Sequence, residues 1–159
     1  KTAVLLACSA KMGAIMAQAD EKRCQALYDY GYQLGMAFQV ADDYLDAFGD
    51  EKVFGKPIGG DILNCKKSWL TVRTCEKLQG PAKEAFLARF NAQVPEEENA
   101  RKIADIKKIY AECGVDDDAR AEVRRYTEEA LKAARRLRLN KVRFEVLRRF
   151  AENLVGRAN

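Results

Sequence analysis

The 159-residue sequence predicts an all-α helical bundle. Apolar residues recur at three-then-four spacing along most of the chain, strand-type alternation is nearly absent, and glycine and proline cluster in short stretches between the periodic ones. At 48% hydrophobic, with no internal repeat and no linker of different composition, the chain can bury one modest core, which implies one domain or part of one.

In chain order, a short apolar helix is expected over residues 3–18. From Glu21 to Phe48, Leu27, Tyr30, Leu34, Ala37, Phe38, Ala41, Leu45 and Phe48 form the buried stripe of one long helix. Residues 49–66 read as a loop, because Gly49, Gly55, Pro57, Gly59 and Gly60 do not continue a helix comfortably. Further helices are expected at 67–79, 82–91, 96–113, 117–138 and 141–156, with Pro81 at a helix start and Gly114 at a helix end.

Composition excludes several classes. A third of the residues are charged, and no apolar stretch approaches the roughly 20 residues needed to cross a bilayer. The opening KTAVLLACSAKMGA lacks a cleavable leader and begins at Lys1 without methionine, so sequence upstream is expected. The balance of 28 basic to 24 acidic residues argues against a nucleic-acid partner. The basic excess is local to Arg120–Arg149, where Glu122, Glu128, Glu129 and Glu145 interleave at helical spacing, as on a solvated helix face. Five cysteines without a C-x-x-C pair or any histidine cannot complete a zinc site, and read as reduced thiols of a cytoplasmic protein.

The stretch FQVADDYLDAFGD, residues 38–50, sets Asp42, Asp43 and Asp46 into an otherwise apolar run. On a helix, Asp42 and Asp46 lie one turn apart on one face and Asp43 is rotated by about 100°. The carboxylates repel one another and sit at the helix end where the dipole disfavours anions. A divalent hard cation with oxygen ligands would offset both terms; the plain alternative is that all three face water. The loop that follows weighs against accident. Lys56 stands near glycines, Asp61 follows Gly59 and Gly60, and Lys66 and Lys67 precede a new apolar helix. Lysines bind phosphate oxygens as point charges, and Mg²⁺ prefers one or two carboxylates plus substrate phosphates, so the set suits a diphosphate.

Phe38, Gln39, Asp42, Asp43 and Asp46, followed by Gly55, Lys56, Gly59, Asp61, Lys66, Ser68 and Trp69, resemble the second aspartate-rich motif and adjoining loop of the trans-prenyltransferases, the farnesyl and geranylgeranyl diphosphate synthase family. Lys1-Thr2 resembles the Lys-Thr pair that the family places upstream of that helix. The likeness is clear over residues 1–70 and general, as amphipathic helices, beyond.

The resemblance implies an isoprenoid synthase helical bundle whose two aspartate-rich motifs hold an allylic diphosphate through Mg²⁺, with Mn²⁺ an acceptable substitute. Departure of the diphosphate leaves an allylic cation, isopentenyl diphosphate attacks head to tail, and released pyrophosphate takes the proton. By position, Asp42, Asp43 and Asp46 would serve the metal; Lys1, Lys56 and Lys66 would grip the diphosphate; Thr2 and Gln39 would line the cation; Phe38 would lie near isopentenyl diphosphate. The 159 residues contain no first aspartate-rich motif and so resemble the C-terminal half of such an enzyme, expected to be inactive alone and homodimeric when whole. Asp116, Asp117 and Asp118 follow Gly114 at a helix start and are expected to cap it. The alternatives are a terpene cyclase or head-to-head synthase, a non-catalytic subunit, and a helical interaction module. Product length is not encoded here, since the family sets it beside the first motif.

Overall fold

The computed structural model describes residues 2–50, 55 and 57–156. Among the described residues there is no β-strand. The helices are α1 (Thr2–Met16), α2 (Glu21–Phe48), α3 (Gly60–Leu63), α4 (Trp69–Lys77), α5 (Gly80–Asn91), α6 (Asn99–Glu112), α7 (Val115–Arg135) and α8 (Lys141–Val155), with a 3₁₀ turn at Glu96–Glu98 before α6. The predicted long helix matches α2 at both ends, and most other boundaries shift by two or three residues. The exception is the stretch expected to be loop throughout, which contains α3. Gly59 stands before it at φ 88°, and its amide donates to the Asp46 carbonyl at 2.6 Å, so a left-handed turn that suits glycine launches one helical turn. None of the described helices is long and apolar enough to cross a membrane.

The chain divides into two compact units, one of residues up to Ala41 with those from Ala121 onward, the other Asp42–Arg120. In the first, α1 lies against the N-terminal part of α2 across small residues. A Cβ on Gly35 would stand 2.5 Å from the Ala3 Cα, and one on Gly31 2.7 Å from the Leu6 carbonyl oxygen, so only glycine permits this approach. Ala3, Ala7, Tyr30 and Leu34 are buried there, with Ala130, Ala134 and Ala151 from α7 and α8. The buried Tyr30 hydroxyl donates to the Leu147 carbonyl at 2.8 Å, which ties α2 to α8.

In the second unit, α6 packs on α3, α4 and α5. Tyr110 is the centre of its core: its ring meets Phe48 and Phe86 at 6.4 and 6.2 Å, and its hydroxyl pairs with Thr71 at 2.8 Å. Ser68 caps α4 by accepting from the Thr71 amide. The expectation that Asp116, Asp117 and Asp118 cap a helix needs correction. They occupy the first turn of α7, where its dipole favours them, but their carboxylates face cations: Asp118 meets Lys77 at 2.7 Å and Arg73 at 2.9 Å, and Asp117 meets Arg120 at 2.6 Å. Side-chain ammonium and guanidinium groups outcompete the helix amides for these oxygens. The Arg120–Arg149 face carries the interleaved pairs expected of it, among them Arg125–Glu122 at 2.7 Å and Arg148–Glu152 at 2.7 Å.

Candidate active site

Within the second unit, the C-terminal turns of α2 bring Asp42, Asp43 and Asp46 beside α3 and the start of α4. The three carboxylates have different surroundings. Asp43 is buried, 4% exposed, and its two oxygens accept from the Trp69 amide at 2.7 Å and the Lys66 ammonium at 3.2 Å. Asp46 is half-buried and accepts from the Asp61 amide at 2.9 Å. Asp42 is half-buried and its carboxylate makes no hydrogen bond or ion pair among the described residues. Helical geometry separates them as expected, since Asp43 turns towards α4 while its neighbours do not follow.

Lys66 sits between Asp43 and Asp61, with its ammonium 2.7 Å from the Asp61 carboxylate. Partial desolvation opposes its charge, yet hydrogen bonds and attraction from Asp61 and Asp43 outweigh that, so its pKa lies above the ordinary lysine value. At Asp46 the charged form is instead disfavoured. Burial raises its pKa; the Asp61 amide and Lys66 lower it, the Asp61 and Asp42 charges raise it again, and the net direction is up. Four carboxylates thus crowd one partly desolvated place with one lysine among them.

This is a donor set that fits a hard divalent cation: oxygen ligands, excess negative charge, and a carboxylate whose ionisation the surroundings oppose. Among the described residues no three acidic or sulfur side chains form a ready-made cage. The residues therefore fit an ion that takes one or two carboxylates here and completes its shell with other oxygen ligands and water.

In the first unit, the Thr2 hydroxyl donates to the Gln39 side-chain carbonyl at 3.1 Å, so the candidate pair named from the sequence is in contact. Phe38, the preceding residue on α2, is half-buried. Lys1 and Lys56, the other two candidate diphosphate-binding lysines, lie outside the described residues. Sequence reasoning missed the backbone amides of Asp61 and Trp69 as the groups that fix Asp46 and Asp43. The only signal was Ser68, a helix-capping residue type just ahead of Trp69, which places a helix N-terminus and its free amides there.

Residues 1–112 match the family model described as polyprenyl synthetase. Component 2 of the heptaprenyl diphosphate synthase of Bacillus subtilis is 41% identical over 111 residues, which cover 70% of this chain and 31% of that protein. A solved geranylgeranyl pyrophosphate synthase superposes on 98% of this chain and 48% of its own with a TM-score of 0.89 at 37% identity. Another, from Corynebacterium glutamicum and complexed with isoprenyl diphosphate and magnesium, superposes on 92% of this chain and 41% of its own with a TM-score of 0.79 at 27% identity. The chain spans about a third to a half of the length of these relatives.

Proposed function

Because the chain belongs to the polyprenyl synthetase family, we propose that it supplies the diphosphate-ionising half of a prenyl transfer site, in which an allylic diphosphate condenses head to tail with isopentenyl diphosphate. The observation that carries this reading is Lys66 held between Asp43 and Asp61 beside the half-buried Asp46. Asp42 and Asp46 would hold Mg²⁺, which when bound neutralises charge growing on the departing diphosphate. The solved relative named with magnesium and isoprenyl diphosphate supports that assignment.

The chain's own residues have three tasks. Lys66, with Lys1 and Lys56, stabilises the diphosphate oxygens as the C–O bond breaks, an electrostatic contribution that grows with the negative charge. Asp43 positions Lys66 and, through the Trp69 amide, the start of α4. Thr2 and Gln39 present oxygen dipoles to the allylic cation, and Phe38 supplies apolar wall near isopentenyl diphosphate, where excluding water prevents capture of the cation.

The family match favours this reading over a terpene cyclase and over a helical interaction module. A second reading, one component of a two-subunit synthase, is favoured by the name of the Bacillus relative. Homodimeric assembly and a cytoplasmic location belong to the proposal as well. Product analysis of the full-length protein tests it: Asp42→Ala should lower kcat by about 10²-fold or more, as loss of a group stabilising developing charge does, and undiminished turnover would overturn the assignment. The 159-residue chain assayed alone, lacking a first aspartate-rich motif, should show no Mg²⁺-dependent condensation. If turnover appears only on adding a second polypeptide to the full-length protein, the two-component reading holds.

A further inference from the structure

We propose that the first unit carries a binding site for an anionic amphiphile, a medium-length apolar chain with a phosphate head, in two adjoining clefts at the α1–α2 turn. One cleft, of about 520 Å³, is mainly apolar, with Ala10, Ala14, Leu27 and Leu147 among its walls. The other, of about 530 Å³, is basic, with Lys22, Arg23 and Arg136 among its walls. They share Arg23, Leu137 and Arg138, so an apolar chain in the first emerges at the guanidinium groups of the second. Both volumes fall in the range of small-ligand clefts.

The charges at this junction are under-compensated. Arg138 and Arg143, the latter on the rim of the apolar cleft, make no ion pair among the described residues. Among the described residues Arg23 pairs with Asp20 at 3.6 Å, which also lines the basic cleft, and Arg136 pairs with Asp29. The N-terminus of α8 also lies here: Asn140, an uncharged cap, accepts from the Arg143 amide, which leaves other first-turn amides to favour an anion. Arg138 itself takes a left-handed φ of 52°, which is uncommon for arginine. Arginine binds phosphate bidentately, a contact that a neutral head does not offer these exposed guanidinium groups. The site is separate from the Thr2–Gln39 pair, since Arg23 and Gln39 are sixteen residues apart on α2, roughly 24 Å at the helical rise.

Calorimetric titration of the full-length protein with decyl phosphate, below its micelle concentration, tests the proposal against decanol and inorganic phosphate as controls. Decyl phosphate should bind about tenfold or more tighter than either, since head and tail each contribute and charged hydrogen bonds count most. Arg138→Gln should weaken it several-fold. Gly13→Leu should do the same, since Gly13 lines the apolar cleft and a Cβ there meets nothing within 4 Å; circular dichroism and prenyl transfer serve as controls. Vesicles of phosphatidylcholine with phosphatidic acid separate the two sources of such a head. Co-sedimentation abolished by Gly13→Leu identifies a bilayer lipid, whereas decyl phosphate binding without co-sedimentation identifies a soluble amphiphile. Equal affinity for decanol and decyl phosphate, or unchanged binding in both variants, overturns the proposal.

Discussion

Asp42 and Asp43 are adjacent in sequence and differ in surroundings. The buried Asp43 carboxylate holds the Trp69 amide and Lys66, so Asp43→Ala strands a buried donor and should cost about 1–3 kcal/mol in denaturant unfolding. Among the described residues Asp42 has no such partners, and Asp42→Ala should change stability by less than about 0.5 kcal/mol, as expected away from buried networks. Equal losses in the two variants would remove the distinction. Two tyrosines are equally diagnostic. Burial pushes the hydroxyls of Tyr30 and Tyr110 up to about 12, in the case of Tyr110 against lowering by Thr71 and Ser68. A raised folded pKa means that their contribution to stability is complete below about 10, the free tyrosine value, and is lost as pH rises towards 12. Ultraviolet titration should accordingly find at least two of the six tyrosines ionising near pH 12, together with alkaline unfolding. Ionisation of all six near 10 in folded protein would contradict this burial.

Among the helices, the α1–α2 contact is set by Gly31 and Gly35. Because a Cβ at Gly35 would press on the Ala3 backbone, which has no flexible end to yield, Gly35→Ala should lower stability by about 1–3 kcal/mol. Gly13→Ala on α1 meets open space and should be neutral or stabilising by up to about 1 kcal/mol through helix propensity, and thermal melts of both variants provide the check. The contact between α7 and α4 gives a pH dependence. Hydrogen bonds from Lys77 and Arg73 hold the Asp118 carboxyl below its ordinary range. A depressed folded pKa stabilises the protein above the unfolded value, about 4, and the gain is lost as pH falls through the folded value. The melting-temperature gap between wild type and Asp118→Asn should be present at neutral pH and close in acid; a gap independent of pH would show that the pairs contribute nothing. The periodic stripe made α2 legible from residue types alone, because apolar spacing records which face is buried. The short α3 escaped because its stability comes from Asp46, fifteen residues away from Asp61, and no local pattern encodes such a contact. The start of α7 was expected two residues late, and its aspartates were given the wrong partners, since Arg73 and Lys77 belong to another helix.

For the molecule as a whole, the all-α architecture and the membership of residues 1–112 in a prenyl-synthase family were both readable in the order of aspartates, glycines and lysines between Phe38 and Lys66. What could not be read was the division of labour inside that motif, which depends on burial and on amides brought in by α3 and α4. The central claim is that this acidic cluster and Lys66 bind a diphosphate through Mg²⁺. Isothermal titration of pyrophosphate into the protein, with and without Mg²⁺, tests it most directly. Binding should require the metal and be lost in Asp42→Ala and Lys66→Gln variants whose circular dichroism shows them folded. Binding that is as tight without metal, or unchanged in those variants, would contradict the claim.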